Sequence, residues 1–96
     1  MDAETYEARV LAEVQETLAS AKDELRVLKR AVTDVSLQGS YPSTEVVVTF
    51  LNDDQVSKSI WPVWLPPTQF SPSSPEDTKI APESIAALVY SDIAEP

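Results

Sequence analysis

The chain has no cysteine, no histidine and a single glycine among its 96 residues. Without cysteine there is no disulfide framework, thiolate nucleophile or thiolate metal site, so packing or oligomerisation must replace covalent staples. Without histidine the commonest general base and proton shuttle is missing as well. Basic residues are scarce too: 7 Lys and Arg stand against 16 Asp and Glu, for a net charge of −9. A surface of that sign repels phosphates, which weighs against direct binding of nucleic acid or of an anionic membrane. No apolar run approaches the length of a membrane span, and Met1-Asp2-Ala3-Glu4 is acidic where a signal peptide is basic and then apolar. The expectation is a soluble, cytoplasmic protein with no cofactor. At 43% apolar residues the chain has enough hydrophobic content to fold, with a modest core, as a single small domain over residues 1–96.

What is present reads as an α+β order. Residues 1–33 form one long amphipathic helix with neither Gly nor Pro, N-capped by Asp2, with Glu4 and Glu7 early and Lys22, Arg26, Lys29 and Arg30 late, as the helix dipole favours. Leu11, Val14, Leu18, Ala21, Leu25, Leu28 and Val32 step alternately by three and four, the spacing of a coiled-coil seam. A globular packing face shows the same spacing, and Tyr6, Val10 and Val27 widen the stripe in that direction. Length argues for the seam: a helix of some 30 residues is about 45 Å long, and a compact domain of this size is only about 30 Å across. The overhang predicts a homodimer held by Leu11, Val14, Leu18, Leu25 and Leu28.

Residues 34–65 read as a three-stranded antiparallel β-meander. Val35 and Leu37 alternate with polar residues before the turn cluster Gly39-Ser40-Tyr41-Pro42-Ser43. Thr44–Leu51 is the strongest strand, with Val46, Val48 and Phe50 on one face and Val47, Thr49 and Leu51 on the other. Asn52-Asp53-Asp54-Gln55 is a turn, and a two-residue loop at Asp53-Asp54 sets Val47 opposite Ile60 and Val46 opposite Trp61. Residues 66–82 form a Pro/Ser-rich loop. Pro82 then opens a C-terminal helix over residues 83–95, with Ile85, Leu88, Val89 and Ile93 as its apolar face.

Each candidate for chemistry has a simpler explanation. In Ser57-Lys58-Ser59, neighbours on a strand point to opposite faces, so Lys58 does not reach either serine. Asn52-Asp53-Asp54 lacks the spacing and terminal glutamate of a calcium loop. Glu13 and Glu16 have no histidine three residues on, as dinuclear carboxylate sites do. The most distinctive stretch is Trp61-Pro62-Val63-Trp64, either core filler or a rigid recognition platform, with the core reading preferred. The reading is therefore a non-enzymatic protein-interaction protein: an acidic inhibitor or immunity-type protein that binds a basic partner through Trp64, Glu76, Asp77, Glu83 and Asp92. A structural subunit or phage accessory protein assembling through the long helix is the alternative. A nucleic-acid mimic ranks below both, because five of the seven basic residues interrupt the acids of the helix.

Overall fold

A computed structural model describes residues 3–61 and 80–94. The architecture is α+β: helix α1 (Ala3–Ser20), a short helix α2 (Lys22–Val27), strands β1 (Val32–Gln38), β2 (Glu45–Phe50) and β3 (Gln55–Ser59), and helix α3 (Pro82–Ala94). The strands form one antiparallel sheet in the order β1-β2-β3, and α1 packs against α3 and β1.

The expected single helix over residues 1–33 is corrected at two points. Ala21, at φ −98° and ψ 15°, leaves helical geometry and separates α1 from α2. The bonds Ala21 N–H to Thr17 O (3.2 Å) and Leu25 N–H to Ala21 O (2.9 Å) carry the chain across that joint. The helix then stops at Leu28. Lys29 takes the left-handed conformation at φ 62°, its N–H bonds Arg26 O at 3.1 Å, and the Arg30 N–H bonds Leu25 O at 2.7 Å. Those two bonds are the Schellman motif, which satisfies the last carbonyls of a helix. β-Branched Val32, Thr33 and Val35 lie beyond it and enter β1. Helix α1 alone is 18 residues, about 27 Å, and Val27 and Leu28 at the end of α2 remain 81% and 45% exposed.

The core closes on one face of the sheet. Val46, Val48 and Phe50 of β2 meet Tyr6, Val10, Val14 and Leu18 of α1, Leu25 of α2, and Ile85, Ala86, Val89 and Ile93 of α3. Burying each of the larger side chains contributes about 1.5–3 kcal/mol. On α3, Ala86 takes the inward place expected of Leu88, which is 37% exposed.

The β2–β3 register also departs from expectation. Val47 sits opposite Ser57 rather than Ile60, and Val46 opposite Lys58 rather than Trp61. The cause is the turn. Asp53 N–H bonds Phe50 O and Phe50 N–H bonds Asp54 O, both at 2.9 Å, with Asp53 left-handed at φ 71°. This is a three-residue hairpin loop with its αL residue third, rather than a two-residue turn. Asn52 braces it, its Oδ1 accepting from the Asp54 N–H at 3.1 Å.

Candidate functional site

The residues of the expected helical seam are mostly used inside the chain. Val14, Leu18 and Leu25 are buried in the core, Leu11 is half-buried, and Leu28 is 45% exposed beside the helix end. Three of the five are thus unavailable to a second helix, and the buried stripe of α1 runs through Tyr6, Val10, Val14 and Leu18. Two of the five partner-binding candidates fall among the described residues. Trp64, Glu76 and Asp77 lie outside the described residues. Glu83 stands exposed in the first turn of α3, while Asp92 near the far end of that helix pairs with Lys58 at 3.1 Å.

Trp61 is wholly buried, and the sequence does not reveal the cluster around it. Its Nε1–H donates to Glu7 Oε2 at 2.9 Å, and Thr44 Oγ1 donates to the same oxygen at 2.6 Å. Its ring lies 4.7 Å from that of Tyr6 and meets Tyr41 edge-on at 4.8 Å. The Tyr6 hydroxyl is directed at the carbonyls of Ile80 (2.7 Å) and Ile60 (3.1 Å), and burial pushes its pKa above the usual 10.0. Every polar atom named here has a partner within the fold, so the cluster is a brace between α1, the end of β3 and the start of α3. Its members come from distant parts of the chain, and no local pattern announces them.

The feature that faces outward is β1. Backbone hydrogen bonds fix which way each strand residue points. Ile60 N–H bonds Thr44 O, and Phe50 N–H bonds Asp54 O, so even-numbered β2 residues bond toward β3. Odd-numbered ones therefore bond toward β1, where Asp34, Ser36 and Gln38 sit opposite Thr49, Val47 and Glu45. By the same alternation, the N–H and C=O groups of Val35 and Leu37 point away from the sheet. Among the described residues only Gln15 Nε2 reaches one of them, the Val35 carbonyl, at 3.5 Å, the outer limit of a hydrogen bond.

Beside this edge a groove of about 410 Å³ opens between the helices and β1. Leu18, Ala19 and Leu25 line one wall, Val32 and Val35 the other, with Lys22 and Arg26 among the helical residues beside them. Among the described residues Arg26 pairs with Asp23 at 3.4 Å, an exposed surface pair of the kind that contributes little. The other edge is guarded differently. The Lys58 side chain shares the helix-facing side with Val46 and pairs with Asp92, and an inward charge on an edge strand discourages pairing with another chain.

No three Asp or Glu of the described residues gather to hold a metal ion. Ser57 shares the outer sheet face with Val47, opposite to the face that carries Lys58. Among the described residues no helix is long and apolar enough to cross a membrane. No known protein family, curated protein or solved structure matches this chain.

Proposed function

We propose that the chain is a non-enzymatic protein-interaction protein that offers the β1 edge and its groove to another polypeptide. The observation that carries this reading is the pair of outward-directed backbone positions at Val35 and Leu37, placed beside an apolar groove. An edge strand recruits an added strand through main-chain hydrogen bonds, and the groove supplies sites for alternate side chains. The net charge of −9 supports a basic protein as the heterologous partner, drawn in by long-range attraction, and an inhibitor or immunity-type role is the specific form proposed. The cysteine-free composition supports a reducing, cytoplasmic setting.

Leu37→Pro tests the reading, because it removes an N–H that points outward and spares the β1–β2 ladder. The immobilised protein is expected to capture a basic partner from its host, with capture falling as salt rises. A variant with an unchanged melting temperature should lose that capture. Undiminished capture by the folded variant would place the docking surface elsewhere.

A further inference from the structure

Resting on the reading of β1 as the docking edge, we infer that in the free protein this edge is occupied by β1 of a second copy. The two strands run antiparallel about a two-fold axis at Ser36 and join two three-stranded sheets into one of six strands. The first argument is hydrogen-bond parity. The regular part of β1, Asp34 to Gln38, is centred on Ser36, whose own backbone groups are turned toward Val47 of β2. An axis there pairs Val35 with Leu37 of the second copy, and Leu37 with its Val35. These are the residues whose N–H and C=O groups point outward, so every bond of the new ladder has a donor and an acceptor in place. The long Gln15 contact to the Val35 carbonyl gives way to a main-chain bond.

Side chains agree with the same axis. Val35 and Leu37 lie on the core-facing side and are half-buried in the single chain, so their apposition continues the hydrophobic core across the junction. On the other face Asp34 meets Gln38 of the second copy, which avoids like charges. An axis at Asp34 would set two carboxylates against each other. β1 also lacks the inward lysine that guards β3.

Charge along the helix supplies the third argument. The two-fold axis runs the two α1 helices antiparallel. The N-terminal turn of one copy, with Glu4, is set toward Lys22 of the other, which stands beside Asp23, Glu24 and an Arg26 already paired with Asp23. On the α1 flank beside β1, Gln15 and the small Ala19 are exposed and border the groove. The Glu4–Lys22 apposition, made twice about the axis, opposes part of the repulsion between two chains of net charge −9.

A cysteine-free chain allows a direct test. Light scattering at micromolar concentration should give a mass twice the 10.5 kDa of one chain. Ser36→Cys places two thiols across a non-hydrogen-bonded pair, where Cα atoms are about 4.5 Å apart and within disulfide reach. Mild oxidation should convert it to a covalent dimer. Gln38→Cys is the control: its two copies are separated by four residue steps, about 13 Å, and should cross-link roughly ten-fold more slowly or not at all. A monomeric mass at all concentrations, or Ser36→Cys that cross-links no faster than Gln38→Cys, overturns the inference. If the protein is monomeric while Leu37→Pro still abolishes capture of a basic partner, the proposed function stands and only the second copy is lost. If capture is also indifferent to Leu37→Pro, both fall.

Discussion

One hydroxyl, that of Tyr6, reaches the carbonyls of Ile60 and Ile80 and so ties the end of the sheet to the approach to α3. Tyr6→Phe keeps the ring against Trp61 and removes only this tie, and it should cost about 1–2 kcal/mol in chemical denaturation. The pH dependence follows from burial, which raises the phenol pKa in the folded protein above its unfolded value of 10.0. A raised pKa means the folded state holds its proton longer. The resulting stability is present in full below the unfolded value and is lost as pH rises through the folded one. The stability gap between wild type and Tyr6→Phe should therefore be constant below about pH 10 and close above it. A gap independent of pH to well above that value would contradict this account of the brace. Nothing in the sequence marks Tyr6 for this role, because its partners Ile60, Trp61 and Ile80 lie far along the chain and only tertiary packing brings them together.

The elements divide into those decided locally and those decided by backbone geometry that few residue types announce. β2 is legible because Val46, Val47 and Val48 are β-branched and both faces of the strand are apolar, as a central strand requires. α3 is legible from Pro82 at its first position. The end of α2 is not, since the left-handed cap falls on Lys29, a residue with no preference for it. The hairpin register slips because Asp53, a residue that tolerates the left-handed conformation, takes it as third residue of a three-residue loop, where Asp53-Asp54 reads as a two-residue one. The cap makes a prediction at this scale. Lys29→Gly removes the Cβ strain of the αL conformation, against a greater entropy cost of ordering glycine, and should stabilise the fold by about 0.5–1 kcal/mol. A rise in thermal midpoint checks it, and a fall would show that the Lys29 side chain outweighs the strain.

At the scale of the whole molecule, the alternation of three and four in the first helix correctly marks an amphipathic face but not what covers it. A seam for another helix and a stripe for the chain's own sheet share that spacing, and burial of Val14, Leu18 and Leu25 in the core shows that the chain itself covers this face. The open surface lies instead on β1, which reads in sequence as an ordinary short alternating strand. Its edge position depends on the meander order, and its outward groups depend on hydrogen-bond parity; neither is visible in composition or charge. The proposed self-association thus lies at the sheet edge rather than along the helix, beside a groove that brings Lys22 and Arg26 close to apolar residues in an otherwise acidic protein.

Amide hydrogen exchange at Val35, Ser36 and Leu37, followed by NMR as the protein is concentrated, tests that account most directly. Ser36 N–H faces β2 and should be protected at every concentration, whereas Val35 and Leu37 should exchange freely in dilute solution and become protected together as the second copy closes the edge. Val35 and Leu37 amides whose exchange is the same from dilute to concentrated solution would contradict it.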